Sequence, residues 1–378
     1  MFNYWKRRTG KMFLMLAVAS CLTFVASLVY LSAVNGYRFS REVPCTPRKH
    51  VAFMKIHKTG SSTVLNLLYR YGDAKNLTFA LPPDDHLGYP NLFRATFVKD
   101  FAKNPGKEYN IICNHMRFNL PEVKKVTGND SFIFTILRNP DSVAESAFSY
   151  SHSGAPAFGA VQSLPEFVRK LDKVFKPKTP NNFYAHNLLW FDLGGDAEAG
   201  AEGPHVDQTL KEFDSTFHLV LLAEYFDQSL VLLREALCWD MEDMVSFQLN
   251  ARDPSTRSSL PPDLLSTLQR WNALDWHLYR HFNTSFWQRV ERYGVDRMER
   301  DVKHLRHLRQ KIQDICLQSS TPEAKSKSSS YIKSPNYGKA KIIGYLLKDN
   351  LTRETKEMCI KMVLPERKYL NRLQRKQG

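Results

Sequence analysis

His50-Val-Ala-Phe-Met-Lys-Ile-His-Lys-Thr-Gly-Ser-Ser-Thr-Val-Leu-Asn-Leu-Leu-Tyr-Arg-Tyr71 is the stretch around which the chain is organised. Its opening run, 51–56, is apolar but for Lys55 and is bounded by charged residues, as a short buried strand is. From 63 to 71, Val64, Leu65, Leu67, Leu68 and Tyr71 recur at helical spacing, and Gly72 follows. Between the two lie Lys58 and a turn of small residues, Thr59, Gly60, Ser61, Ser62 and Thr63. A strand, a tight turn and a helix N-terminus make an anion cradle, because the free N–H groups and the dipole of the first helical turn face the turn. The hydroxyls and Lys58 add further donors. The order of residues narrows the ligand. A nucleotide triphosphatase loop carries its lysine after the second glycine, whereas Lys58 precedes the only glycine here, so kinase and ATPase readings lose support.

Composition bounds the rest. The chain has 378 residues, 43% of them hydrophobic, with 24 Phe, 16 Tyr and 6 Trp, ample for a sizeable core. Lysine and arginine exceed aspartate and glutamate by 15, a balance that suits anionic partners. Residues 12–34 carry no charge and are long enough to span a hydrocarbon core of ~30 Å. Lys6, Arg7, Arg8 and Lys11 precede them, and only Arg38 and Arg41 follow closely. The positive-inside rule then keeps a cytosolic tail at 1–11, makes 12–34 an uncleaved signal anchor rather than a cleaved signal peptide, and sends the rest into the lumen. Sequons at Asn76, Asn129, Asn283 and Asn350 agree with a lumenal body as glycosylation acceptors. Of six cysteines, Cys21 lies in the anchor, leaving Cys45, Cys113, Cys238, Cys316 and Cys359. An odd number leaves one thiol unpaired, and Cys113, in an apolar run, is expected to be that inert buried thiol. The other pairings cannot be read from sequence. No Cys-x-x-Cys pair occurs, so no structural metal is expected. A lumenal compartment makes nucleic acid an improbable partner and leaves homo-oligomerisation open.

Taken in order, 35–49 is a polar stem, 50–318 a lumenal domain, and 319–378 a Ser/Lys linker followed by a basic C-terminal segment that packs on the domain or forms a solvated surface. Further strands are expected at 109–113, 131–137 and 217–223, and helices at 143–150, 164–174, 182–191, 229–237, 264–293 and 298–317. Residues 152–163 and 194–204 read as loops. The aromatic residues of 264–293 read as core rather than as a ligand platform. Strands alternating with helices imply an α/β fold, a mainly parallel sheet with helices on both faces. Ligands gather at the carboxyl ends of such strands. That rule aligns the Lys58 loop, His115 and Arg138 along one edge, since each directly follows a strand.

Arg138 leaves a strand and Ser146 lies on the helix that follows. Together they can grip one phosphate, Arg138 with a planar fork of donors and Ser146 with a hydroxyl. The Lys58 loop resembles the 5′-phosphosulfate loop of sulfotransferases that use 3′-phosphoadenosine 5′-phosphosulfate (PAPS), a cofactor with two anionic ends. The resemblance becomes specific over Phe53 to Leu68, Ile112 to Phe118, Phe134 to Pro140, Leu219 to Arg234 and Ala273 to Asn283, with Ile342-Ile-Gly-Tyr345 also fitting. On these segments the chain resembles the galactose-3-O-sulfotransferase family. The resemblance implies a P-loop-like sulfotransferase fold and a type II Golgi membrane enzyme. It implies transfer of sulfate from PAPS, without a metal, to the 3-hydroxyl of galactose on galactosylceramide or related glycolipids. Terminal β-galactose of glycoprotein glycans is the alternative acceptor, and a membrane-anchored lectin the non-enzymatic alternative. By position it assigns Lys58, Thr59, Gly60, Ser61, Ser62 and Thr63 to the 5′-phosphosulfate, and Arg138 and Ser146 to the 3′-phosphate.

Sulfuryl transfer needs in-line placement, charge stabilisation and a base for the attacking hydroxyl. Lys58 can neutralise the leaving phosphate oxygen. Histidine is the usual base near neutral pH. Among twelve histidines, His115 is expected as catalytic base because it follows a strand at the active edge. It also resembles the histidine segment of uronyl 2-O-sulfotransferases. His57, beside Lys58, is the second choice.

Overall fold

The computed structural model describes residues 45–104, 106–320, 322–324 and 340–377. The expected tail and anchor, most of the stem and most of the Ser/Lys linker lie outside the described residues. Among the described residues no helix is long and apolar enough to cross a membrane.

Four strands, β1 (Val51–Met54), β2 (Ile111–Ile112), β3 (Phe132–Leu137) and β4 (Leu219–Leu222), form a sheet in the order β2-β1-β3-β4. All pairings are parallel, with Val51 opposite both Ile111 and Phe132, and Phe134 opposite Leu219. Every residue of these strands is buried. That is why they read as continuous apolar runs and not as alternating ones. Each matches an expected strand, shortened at its ends.

The helices that bear on the site follow in chain order. They are α1 (Ser61–Ala74), α2 (Leu120–Thr127), α3 (Pro140–Ser151), α4 (Leu188–Asp192), α5 (Pro204–Thr216) and α6 (Phe226–Leu237). Then come α7 (Pro262–Trp271), α8 (Ala273–Tyr293), α9 (Val295–Cys316), α10 (Arg353–Val363) and α11 (Glu366–Gln377). Helix α1 starts two residues before its apolar pattern, because the small residues Ser61 and Ser62 already take helical geometry behind Gly60. The stretch at 264–293 is two helices, broken at Asn272, whose side chain accepts from the backbone N–H of Asn187 at 2.9 Å. Its aromatic stripe is core: Tyr279, Phe282 and Phe286 are buried. Two expectations need revision. Residues 152–163 include a helical turn at Pro156–Gly159 that buries Ala157 and Phe158, so the stretch is not a bare loop. Helices α2 and α5 had no expected counterpart, since their apolar positions are few.

Cys316 and Cys359 form a disulfide joining α9 to α10, and Cys45 and Cys238 are each disulfide-bonded. Cys113 is a free buried thiol, and burial pushes its pKa well up, so it is inert. Asn76, Asn129 and Asn350 are exposed. Asn283 instead lies within α8, half-buried, with Oδ1 unpartnered among the described residues.

Candidate active site

The carboxyl ends of the strands open into a cleft of about 1390 Å³. Lys58, Gly60, Ser61, Ser62, Thr63, His115, Arg138 and Ser146 all line it, so the residues expected from sequence converge, except one. Thr59 is fully buried and its hydroxyl donates to the carbonyl of Ile56 at 3.1 Å, so it braces the turn from behind. Ser61 makes a similar brace to the same carbonyl at 2.7 Å, and the Thr63 hydroxyl accepts from the N–H of Leu249 at 3.0 Å. The loop's hydroxyls therefore mainly shape it, and the Thr63 N–H is taken by the carbonyl of Gly60 at 3.1 Å, which leaves the N–H groups of Ser61 and Ser62 for an anion. The turn needs two left-handed residues, Lys58 with φ 62° and Gly60 with φ 79°. At Gly60 a glycine removes the strain.

Lys58 places its Nζ 3.1 Å from the centre of the Tyr150 ring. Burial, then the charges of Lys55, Arg138 and Arg252, push its pKa well below the ordinary lysine value. Glu145 and Glu366 offset only part of this crowded positive charge, and a polyanion would offset more. Arg138 donates to the carbonyl of Lys58 at 3.1 Å, tying the end of β3 to the loop. Asn139 caps α3, its side chain accepting from the N–H groups of Asp141 and Ser142 at 3.0 and 3.3 Å. Pro140 follows at the first helical position. The cap fixes the direction of α3 and brings Ser146 to the cleft. Arg252, paired with Glu145 on α3, and Arg257 complete this cationic side. Two anion sites separated along one cleft fit a bis-anionic nucleotide.

The two candidate histidines, His115 and His57, stand side by side but in different surroundings. His115 donates from Nδ1 to the carbonyl of Lys55 at 3.0 Å, and its Nε2 accepts from the Lys55 ammonium at 2.6 Å. Both nitrogens are engaged. Burial and the nearby His57, Lys55 and His86 push its pKa well below the ordinary value, so it is neutral. His57 stacks on it, ring centres 3.9 Å apart. The backbone N–H and the Nδ1 of His57 both donate to Oδ2 of Asp192, at 2.8 and 2.9 Å. Asp192 is completely buried at the end of α4, and Tyr89 donates to its other oxygen at 2.7 Å. A carboxylate only accepts, so Nδ1 of His57 carries a hydrogen, and in the neutral ring Nε2 holds the lone pair. Among the described residues no hydrogen bond engages that Nε2. Nothing in the sequence around 188–192 announces Asp192: it is reached only by the folding of α4 against the β1 loop.

A family model described as galactose-3-O-sulfotransferase matches residues 8–377. The chain is 44% identical to galactose-3-O-sulfotransferase 2 of Sus scrofa over 333 residues, covering 86% of this chain and 84% of that protein. It is 42% identical to galactosylceramide sulfotransferase of Mus musculus over 336 residues, covering 87% and 79%. With galactose-3-O-sulfotransferase 2 of Homo sapiens it shares 38% identity over 377 residues, covering 97% and 94%. The chain belongs to the galactose-3-O-sulfotransferase family and is a sulfotransferase enzyme. The family implies PAPS as sulfate donor, and the donor set described above fits it. The first-turn N–H groups, Lys58 and Ser62 would hold its 5′ end, and Arg138 and Ser146 its 3′-phosphate.

Proposed function

We propose that this chain transfers sulfate from PAPS to the 3-hydroxyl of a galactose on galactosylceramide or a related glycolipid. The reading includes a Golgi membrane location, with residues 12–34 as the type II anchor and the catalytic domain in the lumen. The observation that carries the chemistry is the His57–Asp192 pair set beside Lys58. PAPS supplies an activated sulfuryl group and a nucleotide leaving group. His57 Nε2 takes the proton of the attacking galactose hydroxyl, a role worth roughly 10²–10⁴-fold. Asp192 fixes the tautomer and stabilises the imidazolium that forms, as the aspartate of a serine-protease triad does. Lys58 neutralises charge on the departing phosphate oxygen. His115 stands behind His57 as its stacking partner and keeps Lys55 in place. The base role expected of His115 thus moves to His57, because the His115 Nε2 lone pair is already used.

Two observations bear on the acceptor. The cleft wall is divided about evenly between polar and apolar surface, which gives room for a sugar head and for an apolar aglycone beside it. A relative named for galactosylceramide and relatives named only for galactose match at similar identity. The second reading, terminal β-galactose of glycoprotein glycans, keeps the same reacting sugar, which is all that the name galactose-3-O-sulfotransferase 2 specifies. Labelled PAPS offered with galactosylceramide, lactosylceramide and N-acetyllactosamine tests both. Transfer to the glycolipids alone supports the first reading, and transfer to N-acetyllactosamine alone supports the second. Binding of galactosides without any transfer would overturn both in favour of a lectin.

A further inference from the structure

The C-terminal helix is clamped along its length. Lys376 reaches Asp73 at 2.7 Å, and the Gln377 side chain pairs with both backbone groups of Phe79, at 2.7 and 3.0 Å. Gln374 donates to the carbonyl of Pro82 at 2.7 Å, and Tyr369 is fully buried. Helix α10 is held as firmly, by Lys361 on Asp73 at 2.7 Å and by the Cys316–Cys359 disulfide. A helix fixed in this way presents its first turn with little freedom. That turn carries Glu366 and Arg367, and both line the cleft.

Glu366 Oε2 lies 3.1 Å from Lys55 Nζ and accepts from the Ser62 hydroxyl at 3.5 Å. Lys55 is 2% exposed, and a buried ammonium is tolerated only when paired. Among the described residues Oε1 of Glu366 takes no hydrogen bond, and the side chain is 26% exposed. Arg367 bridges to Asp85 at 3.3 Å, and the neighbouring His86 ring lies 5.5 Å from that of His115. Past the stacked histidines the wall is therefore made of Asp85, His86, Glu366 and Arg367. On the Lys58 side arginines predominate, Arg138, Arg252 and Arg257, with Glu224 beside Arg138 and Glu145 paired to Arg252. An in-line displacement brings the attacking oxygen in opposite the leaving one. With the nucleotide on the cationic side, the acceptor enters along the carboxylate and histidine wall. Carboxylates there accept hydrogen bonds from neutral hydroxyls.

We propose that the first turn of α11 and the facing Asp85–His86 segment form the acceptor-sugar subsite. In it the Glu366 carboxylate accepts hydrogen bonds from hydroxyls that flank the galactose 3-position. The inference rests on the reading of this cleft as the site of galactose 3-O-sulfation. The test uses the full chain, PAPS, N-acetyllactosamine and analogues deoxygenated at galactose C2 or C4. Glu366→Gln, which keeps an acceptor oxygen but loses its charge, is expected to raise the acceptor KM by roughly 5–10-fold, the difference between a charged and a neutral hydrogen bond, with the KM for PAPS little changed. On the analogue that lacks the contacted hydroxyl, Glu366→Gln and the parent should perform alike. Equal losses on every acceptor would mean that Glu366 acts only through Lys55, and would overturn the subsite. Asp85→Asn, which leaves Lys55 untouched, should also raise the acceptor KM, and an unchanged value would overturn the subsite too. Failure of the unaltered chain to sulfate any galactoside would instead overturn the functional reading beneath it.

Discussion

The wholly buried carboxylate of Asp192 accepts hydrogen bonds from both the backbone N–H and the ring Nδ1 of His57, at 2.8 and 2.9 Å. One carboxylate thereby fixes the backbone and the imidazole of the residue that directly precedes Lys58. It couples the geometry of that imidazole to that of the Lys58 loop.

Replacement of the two stacked histidines separates their roles. His57→Ala should lower kcat by roughly 10²–10⁴-fold and leave PAPS binding nearly intact. His115→Ala should cost less, because it removes a stacking partner and the acceptor of the Lys55 ammonium, not the base. Single-turnover rates with saturating PAPS measure this, and a larger loss in His115→Ala would return the base role to His115.

Arg138→Ala should weaken PAPS binding by about 1.5–3 kcal/mol, the range for hydrogen bonds to charged groups. The effect should shrink as salt screens the cleft. Titration with 3′,5′-adenosine bisphosphate at two ionic strengths checks both. Unchanged affinity would remove Arg138 from the 3′-phosphate grip.

Gly60 has φ 79° and nothing within 4 Å of where a Cβ would stand. Gly60→Ala therefore meets no clash, and its penalty is the left-handed backbone alone, about 1–2 kcal/mol. Thermal unfolding should register that loss, and PAPS affinity should fall with it as the turn relaxes.

Asp73 anchors the C-terminal helices through Lys361 and Lys376. Burial raises its pKa, but the hydrogen bonds from the two lysines outweigh this and hold it below the ordinary 3.8. A depressed carboxyl stabilises the fold above its ordinary value and loses that contribution as pH falls through the depressed one. The docking of α11 should therefore loosen below about pH 4. Asp73→Asn should mimic this near neutrality, costing about 1–2 kcal/mol. Hydrogen exchange across residues 366–377 reports it, and unchanged protection would show that packing of Tyr369 alone holds the helix.

Much of this protein was legible in its sequence, because the signals were local. The four strands are buried on both sides, so each appears as an unbroken apolar run such as Phe-Ile-Phe-Thr-Ile-Leu at 132–137. The strand-turn-helix at Lys58, Gly60 and Ser61 was legible as a cleft loop, and the placing of Arg138 at the cleft followed from the strand end and the Asn139-Pro140 helix start. What the tertiary structure alone decided were relations between residues far apart in the chain. His57 and His115 look alike as loop histidines after strands. Only the arrival of Asp192 from α4 and of Lys55 from the end of β1 gave one a free basic nitrogen and occupied the other. The basic C-terminal segment read as packing on the domain or as a solvated surface, and Glu366 gains meaning only where α11 sets it against Lys55. Apolar periodicity records which face of an element is buried. It does not record which polar atom, on which distant element, will stand within hydrogen-bonding distance.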